Sequence, residues 1–302
     1  MLRFNPVALV MALLCVSTAH AAADSCRAGL GWQVLGSGGP ELNRRAQSGH
    51  ALWIDGKARV LIDAGAGTAV NFGKAGGDDD DLDAIALSHL HSDHSVDVAA
   101  LVKAGYFGER DRALPIYGPP GGGRFPSTEA WLAALLGKDG AYRYLSGYLG
   151  DDETYRIEPH SVVVPPGEIR TVLKTSRFTL RAAAVGHGSV PALAWRIDVD
   201  GKAVVYTGDT HGNDPALVAL ARDADLMVAN MAVPEDVGGG VRSLHMPPSR
   251  IAAVAHEAGV RRLLLSHLMR RSEAALPEAL ATIAESYRGP VSVAVDMGCT
   301  VL

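Results

Sequence analysis

The sequence predicts an α/β sandwich folded as one domain, and three observations carry that expectation. Short apolar runs alternate with amphipathic or alanine-rich stretches from Trp32 onward, the pattern of strands and helices sharing a core. The 302 residues are 48% hydrophobic and 20% charged, an ordinary globular composition with room for a large core. No linker rich in Pro, Ser or charge divides the chain and no repeat is visible, so the elements belong to one unit.

Each element has its own warrant. Trp32–Leu35, Ala51–Ile54 and Arg59–Asp63 read as strands from their β-branched and aromatic content. Ala84–Leu87 is a short buried strand, Val96–Ala104 a helix and Ile116–Gly118 a brief strand leading into the loop Pro119–Gly123. Ser127 is placed to cap a helix running through Leu136, with Ala130 at its third position. Phe178–Ala184, Ala192–Val199 and Ala203–Tyr206 follow as strands, the last two joined by the turn Asp200-Gly201. Helices are expected at Asp214–Ala221, Pro248–Ala258 and Leu276–Tyr287, and strands at Leu226–Ala229, Arg262–Leu265 and Val291–Val295. The acidic run Asp78–Asp81 lacks the alternating ligand spacing of a calcium loop and reads as a solvated turn.

The first residues read as a targeting segment and not as fold. Met1–Pro6 carries Arg3, Val7–Val16 is an uncharged apolar run, and Ala19-His20-Ala21 offers small residues for cleavage. That order is the pattern of a secretory signal peptide over residues 1–21, cut after Ala21 or Ala23, with the mature domain at 22–302. The apolar run is too short to span a bilayer, which needs about 20 residues, so no stable membrane anchor is expected and the chain is placed in the periplasm or outside the cell. The mature chain keeps Cys26 and Cys299. An oxidising compartment permits a disulfide between them, and the sequence leaves both the bridge and two separate thiols open. With 28 basic residues against 33 acidic ones, formal net charge −5, the chain lacks the basic excess of a protein that grips nucleic-acid backbones.

The chemistry concentrates in Ser88-His89-Leu90-His91-Ser92-Asp93-His94, directly after the strand at Ala84–Leu87. Along a strand, residues two apart face the same side, so His89 and His91 can share one metal ion. Asp93 and His94 then offer a carboxylate and an imidazole to a second. His187, Asp209 and His267 each stand just past the end of an apolar strand, where loops build sites.

Taken in order, His-x-His-x-Asp-His, a later His, Gly-Asp and Ser-His, the chain resembles the metallo-β-lactamase superfamily. Leu35-Gly36-Ser37-Gly38-Gly39-Pro40, the segment Leu61–Thr68 and Ile116-Tyr117-Gly118-Pro119 are similar to its ribonuclease Z-like branch. The resemblance implies a four-layer αββα sandwich holding two metal ions. It places His89, His91 and His187 on the first ion, Asp93, His94 and His267 on the second, and Asp209 between them, since a carboxylate has two oxygens to share. Zinc suits this nitrogen and oxygen set best, with manganese or iron as alternatives, and Asp93 could also orient an attacking hydroxide bridging the metals. His245 matches the group that protonates the leaving oxygen in that branch, a role that suits a neutral-range pKa. The carboxylate that supports it in the branch is missing, because Ala229-Asn230 stands where His-Glu is expected, leaving Glu235 as a possible substitute. His50, His160, His211 and His256 receive no role, although His211 lies two residues from Asp209. Arg270 and Arg271 could meet an anionic substrate group.

The activity that follows from these readings is metal-dependent hydrolysis of an ester. An exported phosphodiesterase with two zinc ions, acting on a small or nucleotide-like anionic ester, is the expected form. A lactonase or other acyl- or sulfate-ester hydrolase is the alternative, and a metal-binding structural module the non-enzymatic one. A true β-lactamase is disfavoured because the superfamily's enzymes of that name lack the bridging Asp. The leader, the acidic balance and the lack of a basic Gly-rich arm argue against transfer RNA as a partner.

Overall fold

The computed structural model describes residues 26–150 and 153–302, so the expected leader at 1–21 lies outside the described residues. Two seven-stranded mixed sheets form the centre of the molecule. The first contains β1 (Leu30–Gly36), β2 (Gly49–Ile54), β3 (Lys57–Ala64), β4 (Ala84–Ala86), β5 (Leu114–Gly118) and β6 (Ile157–Ser161). The second contains β7 (Arg170–Lys174), β8 (Phe178–His187), β9 (Val190–Val199), β10 (Lys202–Tyr206), β11 (Leu226–Asn230), β12 (Leu263–Ser266) and β13 (Val291–Val293). The chain then returns, and β14 (Cys299–Val301) pairs antiparallel with β1 at the edge of the first sheet.

Three apolar clusters explain the layering. Trp32, Leu52, Ile62, Leu180, Trp195 and Val228 fill the space between the sheets. On the outer face of the first sheet pack α1 (Thr68–Lys74), α3 (Val98–Ala104) and α4 (Thr128–Leu136), through Phe72, Leu101 and Leu132; a single turn, α2 (Ser92–Ser95), precedes α3. On the outer face of the second lie α5 (Pro215–Ala221), α6 (Pro248–Glu257) and α7 (Leu276–Ser286), through Leu217, Ile251 and Ile283. The result is the αββα sandwich, each layer burying one apolar face against the next.

Local chemistry agrees with many of the expected boundaries. The Ser127 hydroxyl accepts a hydrogen bond from the Ala130 amide, capping α4. Asp200 and Gly201 both take positive φ, 48° and 73°, as a two-residue hairpin between twisted strands requires. Other elements carry no strong sequence signal. α1 has no side-chain cap of its own; the Asp97 carboxylate accepts from the Gly67 and Ala69 amides instead. β6, β7 and β14 are edge strands with polar, half-exposed residues, which weakens the alternation that marks a strand. Asp78–Asp81 is more ordered than a plain solvated turn: Asp78 caps a short 3-10 turn, Asp80 accepts from the Glu109 amide and Asp81 pairs with Lys57. Cys26 and Cys299 form a disulfide, with Cα atoms 5.6 Å apart, which settles the alternatives the sequence left open. Among the described residues no helix is long and apolar enough to cross a membrane.

Candidate metal centre

The centre lies where the ends of β3, β4, β8, β10 and β12 meet. β4 stops at Ala86, and the chain runs on through Ser88–His91 outside the sheet. The strand alternation expected for His89 and His91 therefore does not position them. Instead His91 is in an extended conformation (φ −65°, ψ 149°) at the cap of α2, and His89 Nε2 comes within 2.9 Å of His91 Nδ1. α2 then presents Asp93 and His94, both buried, toward the second sheet.

From the second sheet, β8 ends at His187, whose Nδ1–H donates to the Leu244 carbonyl at 2.8 Å. A carbonyl only accepts, so this bond fixes the tautomer and leaves the Nε2 lone pair facing the centre. Gly208 (φ 57°) turns the chain after β10 to deliver Asp209; a Cβ there would stand 2.8 Å from that of Ser88. His267 follows β12 with φ 58°, a left-handed conformation unusual for a non-glycine residue.

These side chains assemble into overlapping groups whose ligand atoms lie within 4.8 Å of one another: His89, His91 and His187; His89, His94 and Asp209; Asp93, His94 and His267; and His187, Asp209 and His245. Asp209 lies between the first and second histidine sets, with its carboxylate 3.7 Å from His187 Nε2, 3.8 Å from His94 Nε2 and 3.6 Å from His267 Nε2. The last group was not anticipated: His245 Nδ1 is 3.7 Å from Asp209, within the same cluster as the expected ligands.

The donor set fits divalent ions on the molecule's own terms. His187 Nε2 and His245 Nδ1 are buried without a hydrogen-bond partner, a costly arrangement unless something coordinates or bonds them. Burial would raise the Asp209 carboxyl, yet His267, His94 and His245 around it hold it well below the usual carboxylate range. Asp93 is lowered in the same way by hydrogen bonds from His267 and His94, against its burial. Burial pushes His89 well down, with the His94 charge adding to the effect, so its imidazole is neutral as a ligand must be. Imidazole and carboxylate together suit zinc and its neighbours better than hard cations alone.

Behind the ligands stands a network that the sequence reading missed. Asp63, fully buried and at φ 57°, accepts from the Ser88 amide (2.6 Å), the Ser88 hydroxyl (2.8 Å), His94 Nδ1 (2.7 Å) and the Tyr206 hydroxyl (2.8 Å). It orients His94 and raises its affinity for a proton, countering burial. Asn230 donates to Asp209 (2.9 Å) and to Tyr206 (3.1 Å). His50, left without a role, is buried between Trp32 and Tyr206 rings; burial, with the charges of His94 and His267, lowers it to about 3.

Other expectations resolve differently. Glu235 does not substitute for the missing carboxylate: it accepts from the Ser249 amide and hydroxyl at the start of α6, where unpaired amides attract it. His245 itself is lowered to about 4, chiefly by burial. His211 accepts from the Asn213 amide and joins no ligand group. Arg271 lines a cavity of about 150 Å³ with His91, Asp93, His187 and His245, whereas Arg270 reaches the Leu42 carbonyl. His160 is half-exposed and stacks on Tyr117, and His256 is exposed on α6.

Comparison with known proteins places this geometry. Residues 58–268 match the family described as the beta-lactamase superfamily domain. Ribonuclease Z of Mycobacterium bovis is 30% identical over 257 residues, covering 78% of this chain and 84% of the relative. Ribonuclease Z of Methanosarcina mazei is 27% identical over 277 residues, covering 78% and 87%. Among solved structures, the metallo-beta-lactamase fold protein YhfI of Bacillus subtilis superposes with TM-score 0.70 at 23% identity over 90% of this chain and 98% of its own. The short form of human tRNase Z superposes with TM-score 0.68 at 18% identity, over 89% and 98%. Fold, donor set and relatives together define a metal-binding hydrolase that acts on ester bonds. The chain belongs to the metallo-β-lactamase superfamily, in its ribonuclease Z-like branch.

These relatives overturn two expectations. The reading as a hydrolase of small or nucleotide-like esters, and the exclusion of transfer RNA as a partner, both conflict with relatives named ribonuclease Z and with a neighbour named tRNase Z. The physical reason is that net charge averages over the whole surface. Arg271 lines the cavity of the centre, and Arg242 and Arg250 line a second cavity beside His211, so the acidic total hides cations near the site.

Proposed function

We propose that the chain is a two-metal phosphodiesterase that cuts RNA, with transfer RNA precursors as the substrate to test first. The observation that carries this reading is the joining of two histidine-rich ligand groups through Asp209 in a chain whose curated relatives bear the name ribonuclease Z. His89, His91 and His187 would hold one ion, Asp93, His94 and His267 the other, and Asp209 both; zinc is the expected metal. Such a pair of ions, when bound, activates water near neutral pH and neutralises charge on the phosphoryl oxygens.

The chain's own residues do the rest. Asp63 holds the Nδ1 proton of His94 and Leu244 holds that of His187, so both present Nε2 to the centre. Asp93, next to His267 at 3.2 Å, stays ionised and would orient the attacking water as a hydrogen-bond acceptor. His245 stands over the same cavity as proton donor to the departing oxygen. Burial keeps it neutral in the free protein, so the negative charge of a bound phosphate must raise its pKa before it can act. Arg271 supplies a fixed cation at the cavity wall, its Nε–H donating to the Ala232 carbonyl.

The test is an assay of zinc-loaded protein on a transfer RNA precursor with a 3′ extension, beside bis(p-nitrophenyl) phosphate. Endonucleolytic cleavage that chelation abolishes, and that Asp209→Ala reduces at least a hundredfold with loss of bound metal, is the expected result. Hydrolysis of the small diester with no cleavage of any RNA would refute the RNA reading.

A further inference from the structure

We propose that the tight turn at Gly122–Phe125 is a nucleobase platform: Phe125 stacks on the base next to the scissile phosphate and Arg124 meets a neighbouring phosphate. This rests on the RNA phosphodiesterase reading and adds a substrate contact to it.

The turn follows β5, and its placement is unusual for a loop. Gly122 and Phe125 exchange both backbone hydrogen bonds, each 2.9 Å, closing a two-residue hairpin over Gly123 and Arg124. Gly123 has φ 60°, which such a hairpin favours in its first central residue. A turn closed at both ends holds its flanking residue with little slack. The loop leaves the first sheet yet rests on the second: a Cβ on Gly122 would stand 3.1 Å from the Pro191 ring at the start of β9. Pro191 pairs with Gly186, the residue before His187 at the end of β8. The hairpin thus spans both sheets at the rim of the metal centre.

Phe125 is the side chain so placed. Its ring sits edge-on to His91, centroids 5.6 Å apart and planes at 64°, and it stays partly exposed. Gly121, Gly122 and Gly123 have no side chains to cover it. An aromatic ring fixed by a closed turn, open to solvent and touching a ligand of the first ion's group is poorly explained by core packing, which a more buried position would serve better. Its chemistry matches a stacking surface, because every base offers a π face. Arg124, at the hairpin tip, is exposed and makes no ion pair or hydrogen bond among the described residues. An aromatic face and an unpaired cation on adjacent residues suit the alternation of base and phosphate along a single strand.

The experiment compares wild type, Phe125→Leu, Phe125→Trp and Arg124→Ala on two p-nitrophenyl esters, one of uridine 5′-phosphate and one of methyl phosphate. Quenching of 2-aminopurine in a short oligoribonucleotide is read alongside. Stacking on one base is worth about five- to a hundredfold in affinity. Phe125→Leu is therefore expected to lower the ratio of kcat/KM between nucleotide and methyl ester by that factor, mainly through KM, and to abolish the quenching. Phe125→Trp should restore both, and Arg124→Ala should weaken oligonucleotide binding most at low salt. Equal loss on both esters with quenching retained overturns the platform, since Phe125 then only shapes His91. Hydrolysis of both esters by wild type with no preference and no quenching overturns it too, while leaving the hydrolase reading in place. Quenching that depends on Phe125 in a protein that cleaves no diester supports the platform and refutes the proposed reaction.

Discussion

Replacing Asp63 by Asn tests how far the metal centre depends on a residue that is not a ligand. The side chains have nearly the same shape, so packing is kept and only charge and hydrogen-bond polarity change. One Asp63 oxygen accepts from the Ser88 amide; the other accepts from the Ser88 hydroxyl, His94 Nδ1 and the Tyr206 hydroxyl. Asn can reproduce only one side. If its oxygen faces His94, its amino group confronts the Ser88 N–H, donor against donor. If it is flipped, the amino group faces His94, and the two hydroxyls must rotate to accept. In that second arrangement His94 relieves the conflict by moving its proton to Nε2, the atom that would bind metal. A lost hydrogen bond to a charged group, or an unmatched buried donor, costs about 1–3 kcal/mol. Metal affinity should fall about 10- to 100-fold, the usual effect of losing such a partner. Zinc competition against a chromophoric chelator measures the second quantity, and urea unfolding of the metal-free protein the first. Wild-type zinc affinity in Asp63→Asn, together with full hydrolytic activity, would show that Asp63 does not orient His94 in any way that matters.

Further outcomes follow from other buried groups. His50 is held at about 3 by burial, so between about pH 6.5 and 3 the unfolded chain binds a proton that the folded one does not. Stability is then complete at neutral pH and falls with acid, by about 1.4 kcal/mol per pH unit from this group. Metal-free His50→Phe should lose that slope, and parallel unfolding curves for the two proteins would contradict it. Cys299→Ser, or reduction, should lower stability by about 2–5 kcal/mol in urea unfolding; an unchanged midpoint would mean that the Cys26–Cys299 bond constrains nothing. We propose that residues 1–21 act as a cleaved leader: protein recovered from an exporting bacterium should begin at Ala22 or Asp24 by mass spectrometry, and a retained Met1 would contradict that.

What could be read before the structure was known follows a physical divide. The clustered candidate ligands were legible because they are polar residues abruptly ending apolar strands, and the same signal was present at Asp63 and passed over. Tyr206 and Asn230 look like ordinary strand-end residues, and only the meeting of β10 and β11 puts their polar groups between Asp63 and Asp209. Helix α1 was missed because its cap is borrowed from Asp97. The exclusion of transfer RNA failed because a sum of charges carries no position. Strand alternation does not bring His89 and His91 together: they meet because the chain runs past the sheet and turns into α2.

The order of the strands has a mechanical consequence. The first sheet and its loops contribute His89, His91, Asp93 and His94, whereas His187 at the end of β8 and Asp209 and His267 on the loops after β10 and β12 come from the second. Ions held by both sets would act as rivets through the seam between the sheets, so that loading the centre and clamping the two halves are a single event. The chain supplies its own second fastening. β14, reached only after the second sheet is complete, returns to the first and is tied to Cys26. With that tie closed, the halves stay tethered even when the rivets are out, and an emptied centre remains in register to be refilled.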